Sequence, residues 1–423
     1  MGRRLAARLM VLTTVLALVA GTGGRVTEAQ NELVRRLDLA AMTLDGNDLP
    51  DGALLYVEQY LTPGQFVQAT GGLVERQELA DAGLRWYYES RYVVPTEDQG
   101  AVRLVYRSYV QEFRTAESVE AGFAILEDEE RFGVTGLIDA GAPEVGQEPR
   151  EVTTGSVPPS LPSGGGNRSL YDLTFRVENV LAGISVEAAD PNDVDPAEVE
   201  ELGRRLAERI EAVLAGDEIE GIDPTLRQAL LPFDARLSVQ EGYQTAQEAP
   251  YTTTDPASDV FEGYLSGYAA SYALNLENND VSSPAPYVTL AISSFEDEDG
   301  PTAVLAAARD LQGNLIKLEQ VDDVEIEGAD EAVGFRFSSP ATAGLIRDSF
   351  RVLFAVGDRL VAIDVQGMDS AEAAQAAALA LAAQQLACLD AGGQCASVDV
   401  PGELAIPAEP SSDDGTGGDD EDA

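Results

Sequence analysis

The chain of 423 residues contains no histidine, a single lysine (Lys317) and only two cysteines. Without histidine, a Ser-His-Asp or Cys-His catalytic arrangement is impossible. Zinc, copper or haem sites with histidine ligands are excluded for the same reason. A P-loop is also excluded, because its lysine follows a glycine and Lys317 follows Ile316. The sequence therefore gives no catalytic signature, and carboxylates are the abundant groups left for acid–base chemistry.

Basic residues are few as well. The chain has 27 Lys and Arg against 74 Asp and Glu, which gives a formal net charge of -47. This charge repels nucleic acids and anionic membrane surfaces, so we expect neither as a partner. An apolar content of 44% argues against a wholly disordered chain.

The N-terminus has the three parts of a secretory signal peptide. Residues 1–10 are cationic, residues 9–21 include an apolar run, and Thr27-Glu28-Ala29 offers a cleavage site between small residues. The apolar run is shorter than the ~20 residues that span a bilayer. We therefore expect a secreted or extracytoplasmic protein, cleaved near Ala29, with no stable membrane span afterwards. An uncleaved anchor is the alternative.

Six residues separate the two cysteines, Cys388 and Cys395. In an exported protein this spacing predicts a disulfide bond. Two free thiols in a reducing environment are the alternative, and two sulfurs without further ligands make a poor metal site.

The sequence also contains an internal duplication. Residues 171–186 match residues 350–365 at a constant offset, so that Phe175 corresponds to Phe354 and each apolar position has a counterpart. A period this long indicates two tandem domains and not a solenoid. In each copy, strand-like runs, a helix, a tight hairpin and a closing amphipathic helix follow one another.

Hairpin-length turns demand antiparallel pairing, so we predict an α+β fold. It consists of two tandem repeats, each an antiparallel sheet with two packed helices. Residues 141–166, which are rich in Gly, Pro and Ser, are predicted to form an exposed loop. The predicted organisation is a signal peptide at 1–29, a first repeat at 30–216, a linker at 217–231, a second repeat at 232–392 and an acidic disordered tail at 393–423.

Aromatic residues mark the candidate ligand-binding surface. In an extended chain, alternate residues share a face, and aromatic faces with polar tips often line small-molecule or glycan sites. Plain packing within the sheet is the alternative, and the later tyrosines also fit helical spacing. The candidates on the two corresponding segments are Trp86, Tyr88, Tyr92, Tyr264, Tyr268 and Tyr272.

Oxygen ligands cluster in one turn-rich segment and suggest a weak Ca²⁺ site. The same residue types also serve a turn's own hydrogen bonds, which is the alternative interpretation. The acidic tail is a further weak calcium candidate without the ligand spacing of an EF-hand. No other cofactor is expected. The candidate ligands are Asp45, Asn47, Asp48 and Asp51.

Three local patterns carry a resemblance: Asp-Leu-Pro-Asp-Gly at residues 48–52, the segment at residues 328–333, and the closing hairpin with its helix. Together they resemble secreted bacterial proteins of uncharacterised function with tandem PsbP-like or extracytoplasmic sensor-type α+β domains. The resemblance implies a binding or accessory role outside the cytoplasm and assigns no catalytic residues.

We therefore expect an exported, non-enzymatic protein that binds a small ligand, a glycan or a partner protein. Two alternatives remain open. Paired carboxylates would suit a hydrolase of envelope polysaccharide, because glycoside hydrolysis needs no histidine. The chain would otherwise be a structural or interaction protein of the cell surface.

Overall fold

The protein was analysed as a computed structural model. The predicted signal peptide, Cys395 and nearly all of the predicted acidic tail lie outside the residues that it describes. The described residues are 37–69, 74–96, 101–126, 138–139, 143–157, 168–232, 237–249, 259–273, 287–310, 319–321, 324–340, 346–393, 398–399 and 401.

The described residues form two sets of strands and eight α-helices. The first set of strands is β1 (Leu54–Leu61), β2 (Leu84–Pro95), β3 (Val102–Phe113), β4 (Ile138–Asp139), β5 (Glu148–Val157), β6 (Arg168–Val177) and β7 (Val180–Ala188). The second set is β8 (Leu237–Gln244), β9 (Tyr264–Ala273), β10 (Tyr287–Phe295), β11 (Glu319–Val321), β12 (Glu331–Pro340), β13 (Ile346–Val356) and β14 (Arg359–Met368). The helices are α1 (Leu39–Met42), α2 (Pro63–Ala69), α3 (Arg76–Asp81), α4 (Ala116–Leu126), α5 (Pro196–Ala215), α6 (Pro224–Ala229), α7 (Asp299–Asp310) and α8 (Ala371–Asp390).

The two sheets repeat each other strand for strand. The first has the order β1-β2-β3-β7-β6-β5-β4, and the second has the order β8-β9-β10-β14-β13-β12-β11. Every strand pair is antiparallel. The α+β fold with two sheet–helix units is thus confirmed. The boundaries predicted for the two repeats stay predictions.

The closing hairpins form at the predicted two-residue turns. Val177 pairs with Val180 across Glu178-Asn179, and Val356 pairs with Arg359 across Gly357-Asp358. The first turn residue has a φ of 51° at Glu178 and 56° at Gly357. A positive φ at this position matches the right-handed twist of the flanking strands.

A long helix covers one face of each sheet, which we call the long-helix face. Helix α5 begins after the cap Asp195 with Pro196 as its first residue, and it ends at Gly216 in the left-handed conformation. Its buried stripe packs on β6 and β7, and α8 takes the same place on β13 and β14. One continuous apolar core joins both long-helix faces.

Shorter helices cover part of the opposite face, the short-helix face. In the first sheet, Val119 and Phe123 of α4 pack with Phe113 and Leu181 in a separate core. In the second sheet, α7 packs on β12 and β13 in a core of its own.

The prediction of a continuous exposed loop over residues 141–166 is wrong. Strand β5 occupies Glu148–Val157 and pairs with β6 along its length. The glycines and Pro149 that suggested a loop do not interrupt it, since Pro149 lies at an irregularity of the register, where a missing N–H is tolerated.

In the described part of the chain, no helix is long and apolar enough to cross a membrane.

Candidate functional site

The aromatic candidates of β2 lie on the long-helix face of the first sheet. Trp86, Tyr88 and Tyr92 are 7%, 1% and 2% exposed, so their rings belong to the core and not to the surface. Tyr60 of β1 lies opposite Tyr88, and their ring centroids are 4.6 Å apart in an edge-to-face arrangement. Whether these residues bind a ligand stays a prediction.

On β9, Tyr268 and Tyr272 lie on the corresponding face and contribute to the same core. The expectation that Tyr264 shares this face is wrong. The register shifts between Ser266 and Tyr264, so that Leu265 is an extra residue in the strand. Tyr264 consequently turns to the short-helix face and packs edge to face on Phe295. A bulge of this kind reverses the side-chain alternation beyond it.

The tyrosines converge where strand β1 of the first sheet contacts strand β8 of the second. Tyr243 pairs with Tyr268 as Tyr60 pairs with Tyr88, and the ring centroids of the former pair are 4.9 Å apart. Two glutamates also correspond between the repeats. Glu58 lies two residues before Tyr60 in β1, and Glu241 lies two residues before Tyr243 in β8. We call the following six residues the joint cluster: Glu58, Tyr60, Tyr88, Glu241, Tyr243 and Tyr268.

The glutamates of the joint cluster are buried. Glu58 is 2% exposed and Glu241 is 5% exposed. The Gln244 amide donates a hydrogen bond to Glu58, and the Tyr268 hydroxyl donates one to Glu241. Burial, together with the nearby charges of Glu248 and Glu241, raises the pKa of Glu58 well above its usual value.

Another acid reaches across the joint one turn beyond β8. Glu248 accepts a 2.8 Å hydrogen bond from the Thr245 N–H and lies against Gly46 and Tyr92 of the first repeat. A Cβ atom on Gly46 would approach Glu248 Oε1 to 2.8 Å, so the Glu248 carboxyl packs closely on the Gly46 backbone. Burial raises the pKa of Glu248.

Arg227 lies beside the joint tyrosines. The Arg227 guanidinium of α6 is 5.7 Å from the Tyr60 ring centroid and 3.4 Å from Asp38. Asp38 also accepts a 2.6 Å hydrogen bond from the Tyr243 hydroxyl. Arg227 is therefore matched by Asp38, and its charge also interacts with that of Glu241.

The candidate calcium turn is held by an arginine. Arg209 of α5 lies 2.8 Å from Asp45 and 2.9 Å from Asp48. The N–H of Asn47 donates to Asp45, while Asp51 is exposed. Within the described ranges no group of three or more His, Cys, Asp or Glu residues is arranged to hold a metal ion. The calcium site stays a prediction.

The predicted disulfide also stays a prediction. Cys388 lies in α8 and is 8% exposed, whereas Cys395 lies outside the described residues.

A second buried polar cluster, which the sequence did not single out, lies on the short-helix face of the first sheet. We call it the first-sheet network: Tyr87, Glu89, Arg91, Arg107 and Tyr109. Arg91 and Arg107 each approach a different oxygen of Glu89 to 2.9 Å. Tyr87 donates to the same carboxylate at 2.8 Å.

The ionisation of Glu89 follows from these neighbours. Its side chain is 2% exposed, and burial alone would raise its pKa. The charges of Arg91 and Arg107 outweigh this effect, with help from hydrogen bonds, and lower the pKa to about 2. Glu89 is therefore a buried carboxylate that stays ionised.

The rings of Tyr87 and Tyr109 both pack near the Arg107 guanidinium. The guanidinium carbon is 5.1 Å from the Tyr109 ring centroid and 5.9 Å from that of Tyr87. Tyr109 lies across Gly183 of β7, where a Cβ atom would come within 2.4 Å of the ring, and its hydroxyl lies 2.9 Å from the Thr174 hydroxyl. Glycine at 183 thus allows Tyr109 to reach β6.

The second sheet replaces this network with small residues. Its register aligns Gly267 with Tyr87, Ala269 with Glu89 and Ala291 with Tyr109. In the same way Ser271 and Thr289 stand where the first sheet has Arg91 and Arg107. The polar pair in the second sheet lies on other strands, where Arg351 is 2.6 Å from Asp364.

One sequence signal marks the first-sheet network. Glu89, Arg91 and Arg107 are charged residues inside strands, and each has a tyrosine on one side and a serine on the other. Charges in the interior of a strand that is covered on both faces are costly unless they are paired. Only the pairing of β2 with β3, which places Arg91 opposite Arg107, brings them together.

Comparison with known proteins adds little. No protein-family model and no curated protein matches the chain. Among solved structures, the chain is similar to the extracellular domain of PknH from Mycobacterium tuberculosis. The match has 14% identity and a TM-score of 0.28, and it covers 40% of this chain and 98% of that one. A TM-score this low carries no argument, so function has to be argued from the residues.

Proposed function

We propose that the protein is an exported, non-enzymatic binding protein whose first repeat holds the anionic group of a small ligand, a carboxylate or a phosphate. The binding groups are Arg91 and Arg107 of the first-sheet network. The cationic and apolar N-terminal segment supports export, and the absence of histidine from the sequence supports a role without catalysis.

The observation that carries the proposal is the difference between two copies of one fold. The second sheet has the same strand order and the same register but holds Ala269, Ser271 and Thr289 where the first holds Glu89, Arg91 and Arg107. The fold therefore does not need these charges. Buried ion pairs contribute little net stability compared with apolar packing, so their presence in one copy favours a functional role.

The arginines keep donors for a ligand. Arg107 donates through Nε to Glu89 and through one terminal nitrogen to Tyr87. Arg91 donates through one terminal nitrogen, and its Nε has no hydrogen-bond partner among the described residues. Guanidinium groups present paired donors that match carboxylate and phosphate oxygens.

The site is also within reach of solvent. Two arginine charges face the Glu89 carboxylate, Asp172 is a second acid near Arg107, and the Arg91 and Arg107 side chains are 24% and 35% exposed. The large negative charge of the whole chain opposes an anion only over a short range, because the Debye length is about 8 Å at physiological ionic strength.

A ligand screen tests the proposal. The protein without residues 1–29 is screened by thermal shift against carboxylates, sugar acids and sugar phosphates, with uncharged sugars as the reference set. Hits are titrated by calorimetry. We expect saturable binding of anionic compounds only, weakened about 10- to 100-fold by Arg107→Gln, since a hydrogen bond to a charged group contributes about 1.5–3 kcal/mol.

The matched control is Arg351→Gln, which removes the arginine of the second sheet. Binding that survives Arg351→Gln and falls with Arg91→Gln or Arg107→Gln supports the site. Equal losses in both repeats, or no saturable anion in the screen, would count against it.

A further inference from the structure

The joint between the two sheets brings several carboxyl groups together in a buried contact. Glu58 comes from β1, Glu241 comes from β8, and Glu248 comes from the turn that follows β8. Glu58 lies so close to β8 that a Cβ atom on Gly242 would meet its Oε2 at 2.1 Å. The two edge strands therefore press Glu58 against the opposite repeat.

The charges at this joint do not balance. Arg227 is matched by Asp38 at 3.4 Å, and Arg209 is matched by Asp45 and Asp48. Arg227 also interacts with Glu241, so one guanidinium serves both Asp38 and Glu241. Glu58 accepts a hydrogen bond from the neutral Gln244 amide and lies near the charges of Glu241 and Glu248. Like charges in a buried contact cannot all ionise cheaply, so a proton is expected to remain there.

We propose that the joint is proton-dependent: Glu58 keeps a proton while the repeats are docked, and the contact between β1 and β8 weakens when that proton leaves. Mildly acidic surroundings then hold the two repeats together, and alkaline surroundings loosen them. The inference is independent of the anion site, because Glu58 and Glu89 lie on opposite faces of the first sheet.

Every group that faces Glu58 fits this assignment. Burial raises the pKa values of Tyr88 and Tyr92 well above their usual range, and that of Tyr243 is raised as well, so these phenols stay neutral. Arginine stays charged throughout. Glu58 and Glu248, whose pKa values burial raises, are left as the groups that change charge. The titratable and polar groups of the joint, which interact with Glu58 directly or through its neighbours, come from the segment around α1, from β1, β2, α6, β8 with its following turn, and β9: Asp38, Asp45, Tyr60, Tyr88, Tyr92, Arg227, Glu241, Tyr243, Gln244, Glu248 and Tyr268.

The size of the effect follows from proton linkage. When docking holds one proton that the open form releases, each pH unit above the pKa of the open form weakens docking up to about tenfold. The effect ends once the pH exceeds the pKa of Glu58 in the docked form, because both forms have then lost the proton.

Trp86 is the only tryptophan in the chain, and it reports on the joint. It is 7% exposed, and its ring centroid lies 6.4 Å from that of Tyr60. The Trp86 fluorescence is measured in the chain without residues 1–29 from about pH 5 to about pH 10. A buried carboxyl with a raised pKa loses its proton within this range. We expect a shift to longer wavelength as pH rises, abolished by Glu58→Gln and unchanged by Glu208→Gln, a substitution of an exposed acid on α5.

A shift that is identical in wild type and Glu58→Gln, or no shift in wild type over this range, would overturn the proposal. If Glu58→Gln fails to fold, Glu241→Gln takes its place. This substitution is expected to lower the pH midpoint of the fluorescence shift and to make the shift smaller. The infrared spectrum of the wild type gives a direct check. A carbonyl stretch of a protonated carboxyl near pH 7 is expected, and its absence would refute the retained proton.

Discussion

Glu58 and Glu89 lie on adjacent strands of one sheet and are equally buried, yet their carboxyls behave in opposite ways. Glu58 pairs with Ser90, and Glu89 pairs with Gln59 one position further along. Each is 2% exposed. The pKa of Glu58 is raised and that of Glu89 is lowered to about 2. Burial is the same for both, so the neighbours decide the sign.

Those neighbours differ because the residues lie on opposite faces. Glu89 faces Arg91 and Arg107 of its own sheet, whereas Glu58 faces Glu241 and Glu248 of the other repeat. A carboxylate with two arginines keeps its charge, and a carboxyl pressed against other acids keeps its proton. The first arrangement favours a permanent charge for a ligand site, and the second favours a contact that responds to pH.

Glu89→Gln should produce the largest effect. The substitution leaves Arg91 and Arg107 facing each other without the carboxylate, and breaking a buried ion network costs about 3 kcal/mol. We place the loss at the low end of the known range because both arginines are partly exposed. Urea denaturation near pH 7 measures it.

The pH dependence of the same variant gives the control. Because the pKa of folded Glu89 is lowered to about 2, its stabilising contribution is present above about pH 4.5 and is lost as pH falls towards 2. The difference in unfolding free energy between wild type and Glu89→Gln should therefore shrink on acidification. A difference that is constant with pH would contradict the ionised state.

Gly183→Ala should come next, with a loss of about 2 kcal/mol. The new methyl group meets the Tyr109 ring, whose atoms are 2.4 Å from the Cβ position, and overpacking of this kind typically costs 1–3 kcal/mol. The second sheet has Ala291 opposite Ala362 at the equivalent positions. The cost should therefore fall in a Tyr109→Ala background without vanishing, because the Leu173 carbonyl oxygen also lies 2.8 Å from the Cβ position, and equal costs in both backgrounds would show that the ring is not responsible.

Glu58→Gln should act in the opposite direction and stabilise the protein by about 1–2 kcal/mol near pH 8. The amide replaces a carboxyl that must otherwise hold a proton, and each pKa unit is worth about 1.4 kcal/mol. Because the pKa of Glu58 is raised, its favourable protonated state is complete below about pH 4.5 and is lost as pH rises. The gain should therefore vanish near pH 4, and thermal unfolding at both pH values checks this.

Tyr243→Phe should have the smallest effect, a loss of about 1 kcal/mol. It removes the 2.6 Å hydrogen bond to Asp38 and leaves the ring packed on Tyr268. Tyr60→Phe is the matched variant in the first repeat, since the Tyr60 hydroxyl accepts a 3.0 Å bond from the Ala40 N–H. A loss well above that of Tyr60→Phe would mean that Asp38 depends on Tyr243 more than on Arg227.

The sequence predicted the repeat and its helices because these depend on local patterns. The apolar match between residues 171–186 and 350–365 lies within β6, β7, β13 and β14, and the local signals Asp195 and Pro196 set the start of α5. Strand β5 was not predicted because its proline and glycine are typical of loops, although Val152, Thr153 and Thr154 favour a strand.

The joint and the first-sheet network were harder to foresee. Alternation alone placed Tyr264 with Tyr268, but the bulge at Leu265 turns it to the other face. The pairing of Glu89 with Arg107 depends on the register of β2 and β3, and the contact of Glu58 with Glu241 depends on how the repeats dock. Neither contact can be predicted from the residue pattern of a single strand.

The most direct measurement is the carbon-13 NMR titration of glutamate side-chain carboxyls in one sample, with the Glu58 and Glu89 signals assigned by their loss in Glu58→Gln and Glu89→Gln. We expect the Glu89 carboxyl to titrate near pH 2 and the Glu58 carboxyl to titrate well above 4.5. If both carboxyls titrated together near 4.5, the neighbours would not control the two charges, and the contrast between the ligand site and the joint would be refuted.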